Sequence, residues 1–245
     1  QVRMPFLNRY RLRIADQVLL RASGTRVVSE RVKESLIAKY GSRIPESSVI
    51  PVSVDALAPG LKLLPPHPFT FSLIAVGRLE PEKRIEDILT ALSLIHSNYQ
   101  RIGLFIVGEG RERARLEHMT HSLGLTDNVV FLGNRPDASA LMASANAFIQ
   151  ASAYEGYGRT LIEAALAKVP IITTDVGIVG EVFNGYEDVL AVPVADPTAL
   201  SLSIVGLIDD NTVRIELPLH AEATALAHLA SVGDLPSRIV EDLAR

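Results

Sequence analysis

TFSLIAVGRLEPEKRIEDILTALSLIHS, residues 70–97, joins a strand-like pattern to a helix-like one. The run from Thr70 to Val76 is apolar at almost every position, as expected of a strand that is buried on both faces. From Arg84 to Ser97 the apolar residues recur with the spacing of an amphipathic helix. A buried strand followed at once by such a helix is the repeating unit of a parallel α/β sheet.

The same alternation continues over most of the chain. Further apolar runs predict strands at 102–107, 129–132, 147–151, 171–173 and 189–192, and the segments between them predict helices at 111–123, 159–167 and 198–208. We therefore expect an α/β fold over residues 69–211, with a Rossmann-like parallel sheet and helices on both faces. Residues 212–245 are predicted to be wholly helical.

The residues before Phe69 predict a smaller unit. A strand, a helix and a second strand are expected at Gln17–Arg21, Val27–Lys39 and Val49–Val52, which makes residues 1–58 a βαβ-like unit. One such unit cannot bury a sheet alone, so we interpret it as the remnant of an N-terminal domain. Residues 59–68, rich in proline, predict a linker to the larger domain.

Composition excludes several classes of function. Because the 245-residue chain has no cysteine, it has neither disulfides nor a cysteine-based metal site, and a cytoplasmic location is favoured. The net charge of −4 argues against nucleic acid as the main partner. No apolar run approaches the length of about 20 residues that a membrane span needs. We predict no metal site.

The first segment of the chain is nevertheless rich in arginine. Such a cluster suits peripheral contact with anionic lipid headgroups at the inner face of a membrane. A solvated basic face is the simpler interpretation, and we favour it. The residues concerned are Arg3, Arg9, Arg11, Arg13, Arg21, Arg26 and Arg31.

Candidate site residues follow the predicted strands, since ligands bind beyond the carboxyl ends of the strands in parallel α/β sheets. Arg78 and Lys83 lie between a strand and a helix N-terminus, an arrangement that favours an anion. Solvated surface charge is the alternative. Gly108 permits either close approach of a ligand or simply a tight turn. Asn134 and Arg135 follow the next strand, where the loop suits a nucleobase edge or is an ordinary loop.

Residues 154–163, YEGYGRTLIE, are the most informative junction. A carboxylate, Glu155, meets a glycine-rich turn and then a helix whose first amides, those of Arg159 and Thr160, suit a phosphate. Glu163 lies in that helix among apolar residues, where an acid is costly unless it is bound or exposed. A ligand with sugar hydroxyls, ribose hydroxyls and phosphates would use all of these groups.

Together these motifs resemble the donor domain of the family 4 retaining glycosyltransferases, which have the GT-B fold. The resemblance spans Ala15 to Asp210, and it is carried by Gly77-Arg78-Leu79 with Lys83, Val107-Gly108-Glu109-Gly110, Phe131-Leu132-Gly133 and Glu155-x7-Glu163. It implies transfer of a sugar from a nucleotide-diphosphate sugar to an acceptor, with retention of configuration and without metal or other cofactor. The implied acceptor is a sugar, a lipid-linked group or a glycan.

The resemblance also implies roles for single residues. Arg78 and Lys83 would bind the diphosphate and stabilise the leaving nucleotide, while Glu155 would contact the donor sugar near its reacting carbon; these three are the implied catalytic residues. Glu163 would accept hydrogen bonds from the ribose. The other implied donor-binding residues are Asn134 and Arg135 beside the base, Gly108, Gly156, and the amides of Tyr157, Gly158, Arg159 and Thr160.

The chain departs from the family's pattern at several glycines. Arg84 follows the phosphate lysine where the family often has glycine, Ala167-Lys168-Val169 replaces small residues and glycine, and Ile178 replaces one of a glycine pair. Arg84 would place bulk and charge beside the diphosphate. Ile178 would alter the backbone contacts that the family makes at this loop. The six histidines lie outside any catalytic motif, and surface or helix positions explain them more simply.

The largest departure is in the acceptor-binding N-terminal domain, of which the chain retains about one βαβ-like unit. That domain or its equivalent is therefore an expected partner. One alternative function is another GT-B sugar-nucleotide enzyme, such as an epimerase. A second alternative, from a different class, is a noncatalytic module that binds a nucleotide-sugar.

Overall fold

A computed structural model describes residues 14, 16–54, 64–233, 235, 239 and 242. Contacts divide the chain into two compact units, one of Val54–Ser231 and one of Gln1–Ser53 with Val232–Arg245. The arginines expected to favour a membrane surface at Arg3, Arg9, Arg11 and Arg13 lie outside the described residues. Residues 59–63, the first half of the expected linker, do so as well. The domain limits drawn from the sequence stay predictions.

The smaller unit contains two parallel strands joined by a helix. Strand β1 (Thr25–Val27) pairs with β2 (Ser47–Val49), and α1 (Glu30–Tyr40) with a 3₁₀ turn at Gly41–Arg43 connects them. The order strand, helix, strand is as predicted. The first predicted strand, Gln17–Arg21, is wrong, because residues 16–19 are helical.

Local hydrogen bonds explain this difference. The amide of Leu20 donates to the carbonyl of Asp16 at 3.2 Å, and the Asp16 carboxylate accepts from Tyr40 and, at 2.9 Å, from Lys39. The true strand β1 has three residues, too few to show the alternation from which strands are predicted. Helix α1 begins after Ser29, whose Oγ accepts from the amide of Val32 at 3.3 Å.

The larger unit is built on six parallel strands, in the order β5-β4-β3-β6-β7-β8. The predicted parallel sheet is confirmed. Most strand residues are buried, which explains why the sequence shows continuous apolar runs rather than alternation. The strands are β3 (Phe71–Val76), β4 (Ile102–Val107), β5 (Val129–Gly133), β6 (Ala147–Gln150), β7 (Ile171–Thr174) and β8 (Leu190–Val192).

Helices cover both faces of this sheet. Leu73 and Leu104 belong to a core cluster that includes residues of α2 and α6, whereas Leu141 of α4 and Leu161 of α5 are fully buried outside that cluster. The short α4 has no counterpart among the predicted helices. The helices are α2 (Ile85–Ile95), α3 (Arg113–Ser122), α4 (Ala138–Met142), α5 (Arg159–Leu166), α6 (Pro197–Asp209) and α7 (Asn211–Val232).

The C-terminal segment is helical but not continuous. Helix α7 ends at Val232, and Gly233 has a left-handed φ of 66°, which a helix interior does not allow. Residues 235, 239 and 242 are helical again. The prediction of a wholly helical segment is therefore wrong at Gly233. In the part of the chain that the structure describes, no helix combines the length and apolar character needed to cross a membrane.

Candidate functional site

The strand order reverses at the centre of the sheet. β3 is followed along the chain by β4 on one side, whereas β6, which pairs with β3 on the other side, is followed by β7. Such a reversal leaves a crevice beyond the carboxyl ends of the two strands, where open α/β sheets bind their ligands. The loops after β3 and β6 therefore mark the candidate site.

Lys83 and Glu155 meet at this crevice. The ammonium of Lys83 forms an ion pair with Oε1 of Glu155, and Ser152 Oγ donates to the same oxygen at 2.8 Å. The two side chains are 18% and 13% exposed, so salt screens this pair less than an open surface pair. The loops are also joined through their backbones, since the amide of Ala153 donates to the carbonyl of Glu82 at 2.8 Å.

A short 3₁₀ turn, Pro81–Lys83, places Lys83 after β3. Proline suits the start of the turn, where its missing N–H is not needed. Arg84 ends the turn with a left-handed φ of 47° and precedes α2. Its guanidinium donates two hydrogen bonds to Asp87, at 2.6 and 2.9 Å, so the charge expected beside a diphosphate is directed to α2 instead.

Arg78 lies in the same loop but in a different environment. Its Nη2 is 3.2 Å from Oε1 of Glu82, and its side chain is 73% exposed. An ion pair this exposed contributes little to stability. The guanidinium is therefore solvated near the crevice, with room to reorient toward an anion.

Helix α5 begins beside the same crevice, directly after the loop that carries Glu155. Gly158 starts the helix with a φ of 95°, and no side-chain cap hydrogen bond is found at this end among the residues that the structure describes. Within the helix, Arg159 Nε donates to Oε1 of Glu163 at 2.8 Å, and the Glu163 side chain is 14% exposed. The hydroxyl of Thr160 donates to Oε1 of Gln150 at 2.9 Å, which leaves the backbone of Thr160 as its contribution to an anion site.

Tyr157 is held by contacts with the loop that carries Ile178 and with helix α7. Its carbonyl accepts from the amide of Ile178 at 2.9 Å, and its hydroxyl lies 2.7 Å from Nε2 of His228 on α7. Burial, and then the negative charge of Glu181, raises the pKa of Tyr157 to about 12. Burial lowers the pKa of His228, while Glu181 opposes that shift. At neutral pH both partners of the bond are therefore uncharged.

The loop after β4 packs on the loop after β3 and on the end of β5. A Cβ added to Gly108, whose φ is 141°, would lie 1.9 Å from the carbonyl oxygen of Gly77. The amide of Gly108 also donates to the carbonyl of Gly133 at 2.7 Å. Close packing of backbone on backbone is thus sufficient to explain glycine at 108.

Asn134 and Arg135 lie just beyond β5. Asn134 is exposed, and the guanidinium of Arg135 donates two hydrogen bonds of 2.8 Å to the carboxylate of Asp137. No contact found in the described residues joins either side chain to Lys83 or Glu155. The structure therefore leaves them at the edge of the candidate site.

The remaining departures from the glycine pattern are accommodated locally. Lys168 has a left-handed φ of 56°, a conformation that favours glycine, and its ammonium pairs with Glu222 of α7 at 2.9 Å. Ile178 is fully buried, and its amide still supports Tyr157. The backbone of Gly177 packs directly on the backbone of Tyr157, because a Cβ at 177 would lie 2.4 Å from the Tyr157 carbonyl oxygen.

Three residues around the candidate site were not predicted from the sequence: Gln150 of β6, Ser152 in the loop after it, and His228 of α7. Gln150 is 6% exposed, and its Nε2 has no hydrogen-bond partner among the described residues. A polar residue that ends the apolar run AFIQ is a signal from which Gln150 could have been found. Nothing in the sequence links His228 to Tyr157, because the two are 71 positions apart.

The described residues contain no group of three or more His, Asp or Glu side chains arranged to hold a metal ion.

Comparison with known proteins gives a consistent result. The family described as glycosyl transferases group 1 matches residues 70–225. Glycogen synthase of Mycobacterium tuberculosis is 29% identical over 185 residues, which are 74% of this chain and 44% of that protein. The lipopolysaccharide core biosynthesis glycosyltransferase LpsD of Rhizobium meliloti is 30% identical over 147 residues, 60% of this chain and 42% of that protein. The chain thus spans less than half the length of these relatives.

Solved structures show the same fold. HepE of Anabaena, in complex with UDP and glucose, has a TM-score of 0.81 at 23% identity, over 96% of this chain and 67% of that chain. The pneumococcal O-GlcNAc transferase GtfA, in complex with UDP and GlcNAc, has a TM-score of 0.77 at 23% identity, over 96% of this chain and 47% of that chain. Because the family match covers more than half of the sequence, the chain belongs to the group 1 glycosyltransferases and has their GT-B type of sheet.

Proposed function

We propose that the chain is the donor-binding half of a glycosyltransferase that uses a nucleotide-diphosphate sugar. The observation that carries this proposal is the meeting of Lys83 and Glu155 at the strand-order reversal, beside the N-terminus of α5. A cation, a carboxylate and helix amides thus lie around one crevice. A nucleotide-diphosphate sugar has the matching groups, since phosphates suit the cation and amides and sugar hydroxyls suit the carboxylate.

In the proposed complex, Lys83 and Arg78 bind the diphosphate, and Arg78 leaves Glu82 to do so. Glu155 contacts the donor sugar near its reacting carbon, and Glu163 accepts hydrogen bonds from the ribose. The low exposure of Glu163 supports a buried polar contact of this kind. The other proposed donor contacts are Gly108, Gly156, the amides of Tyr157 and Gly158 at the sugar, those of Arg159 and Thr160 at phosphate, and Asn134 and Arg135 toward the base.

The proposed chemistry is catalysis of leaving-group departure. The bond from the sugar's anomeric carbon to the diphosphate oxygen breaks, a bond to an acceptor oxygen forms, and the acceptor's proton is released. Negative charge accumulates on the departing nucleoside diphosphate, where cations already in place stabilise the oxocarbenium-like transition state. We propose that configuration is retained and that Lys83 and Arg78 supply the positive charge without a metal ion or other cofactor.

In the proposed enzyme, the acceptor binds to a part other than this donor-binding half. The acceptor is a sugar, a lipid-linked group or a glycan, and an acceptor-side domain of GT-B type binds it. We propose a cytoplasmic location with peripheral contact to the inner membrane face at most, and no role for nucleic acid. Cell fractionation with and without high salt tests the membrane contact, because salt weakens attraction to anionic lipids.

A noncatalytic nucleotide-sugar-binding module is the second candidate function. Both candidates predict donor binding, and turnover separates them. An epimerase is distinguished by its product, because it returns an isomer of the donor rather than a transferred or hydrolysed sugar.

Isothermal titration of the purified chain with UDP, GDP, ADP and their sugars tests the proposal. We expect one nucleotide series to bind, and Lys83→Ala to weaken its affinity at least tenfold, because a charge-assisted hydrogen bond to phosphate is lost. Lys168→Ala is the matched control, since it also removes a lysine from a glutamate pair, at the opposite end of α5. Equal affinity in wild type and Lys83→Ala would refute the site.

A further inference from the structure

We propose that His228 is a positioning residue for the donor sugar, which acts by holding Tyr157 and thereby the amides of the loop at residues 155–158. This inference rests on the proposed function, because it assigns these amides to the sugar. No sequence motif includes His228, and the family resemblance assigns no role to it. The geometry that carries the proposal is a direct contact between α7 and the loop.

The contact is short, joins a buried tyrosine to a half-buried histidine, and is shared by two neutral groups. The hydroxyl of Tyr157 lies 2.7 Å from Nε2 of His228, and Tyr157 is 5% exposed. Breaking a bond at such a site leaves a polar atom without water, which is more costly than breaking it at the surface. The hydrogen bond to His228 therefore holds the Tyr157 ring in one position.

The backbone of Tyr157 transmits this position to the site. Its carbonyl is held by the amide of Ile178 at 2.9 Å, and Gly177 packs so closely on that carbonyl that a side chain would clash at 2.4 Å. Tyr157 is flanked in the chain by Gly156 and Gly158, and Gly158 has a left-handed φ of 95°. Glycines resist displacement poorly, so the tyrosine side chain is the rigid element of this turn.

The face of helix α7 that carries His228 also contacts the loop at Glu187 and Asp188. Residues 220, 224 and 228 are four positions apart and thus lie along one side of the helix. The Thr224 hydroxyl donates to Oδ1 of the buried Asp188 at 3.0 Å, and Nδ1 of His220 lies 3.2 Å from the carbonyl of Glu187. His228 is the member of this row that reaches the loop after β6.

The test compares affinity for a nucleotide-sugar with affinity for the bare nucleoside diphosphate. We expect Tyr157→Phe and His228→Phe each to weaken binding of the nucleotide-sugar about fivefold, the value of one net hydrogen bond. Affinity for the nucleoside diphosphate alone should change less than twofold. The double variant should be no weaker than either single variant, since both remove the same bond. His228→Gln, which keeps a side-chain hydrogen-bonding group, should recover part of the loss.

His220→Phe is the matched control, because it changes the same residue type on the same helix face, two turns from His228. We expect it to keep both affinities. If wild type binds no nucleotide-sugar, the proposed function fails. If wild type binds but His228→Phe keeps its affinity, or loses affinity for nucleotide and nucleotide-sugar equally, the positioning role is overturned while the proposed function stands.

Discussion

Gly108→Ala tests whether packing of the loops after β3 and β4 requires glycine. The new Cβ would lie 1.9 Å from the Gly77 carbonyl oxygen, where real Cβ atoms are not found, so one of the two backbones must move. Overpacking of this kind costs about 1–3 kcal/mol, and a left-handed conformation adds about 1–2 kcal/mol. Together these contributions predict a loss of about 2–5 kcal/mol in the free energy of unfolding.

Two other glycines in the larger unit provide matched controls. Gly124, with a φ of 69°, has nothing within 4 Å of an added Cβ, so Gly124→Ala should lose about 1–2 kcal/mol from conformation alone. Gly206 lies inside α6, also in open space, and Gly206→Ala should gain about 0.5–1 kcal/mol from helix propensity. The three substitutions add the same methyl group and differ in their surroundings.

Thermal unfolding followed by circular dichroism measures the series. For a domain of this size, 1 kcal/mol corresponds to about 2–4 °C in Tm. We therefore expect Tm to fall by about 4–20 °C for Gly108→Ala and by about 2–8 °C for Gly124→Ala, and to rise by about 1–4 °C for Gly206→Ala. A Tm for Gly108→Ala within 1 °C of that for Gly124→Ala would refute the close-packing explanation.

Two further predictions concern a helix cap and a tyrosine. Asp196 caps α6 by accepting from the amide of Ala199 at 2.9 Å, so Asp196→Ala should cost about 1 kcal/mol in urea unfolding while Asp196→Asn costs less. Burial raises the pKa of Tyr157 to about 12, above its ordinary value of 10.0, so the folded state favours the neutral phenol. That stabilisation is complete below pH 10 and is lost as pH rises toward 12, so wild type should lose about 2–3 kcal/mol more than Tyr157→Phe over this range. A parallel decline of both proteins in urea midpoint between pH 9 and 11.5 would contradict this result.

The sheet could be predicted because its four inner strands are buried on both faces, while the edge strands β5 and β8 are half-buried. Continuous apolar runs such as Ile102–Val107 are long enough to recognise, and helix-like segments follow most of them. The first strand of the smaller unit could not be predicted, because Thr25–Val27 has three residues and one buried side chain. Short elements have too few positions to show a period.

The candidate site was predictable in its loops but not in its pairings. Strand ends identify Lys83 and Glu155, and the structure places them in an ion pair. The partner of Arg84 was not predictable, because its left-handed backbone turns the side chain toward Asp87. The contact of Tyr157 with His228 depends on how α7 packs, which no local pattern in the sequence records.

The reversal of strand order also determines at what point during synthesis the site can form. Lys83 and Glu155 are 72 positions apart and come together only where β3 and β6 lie side by side. During synthesis, a nascent chain that has completed β5 still lacks half of the crevice. A break between β5 and β6 separates the two partners onto different fragments, so that recovery of nucleotide binding on mixing would report reassembly of the sheet.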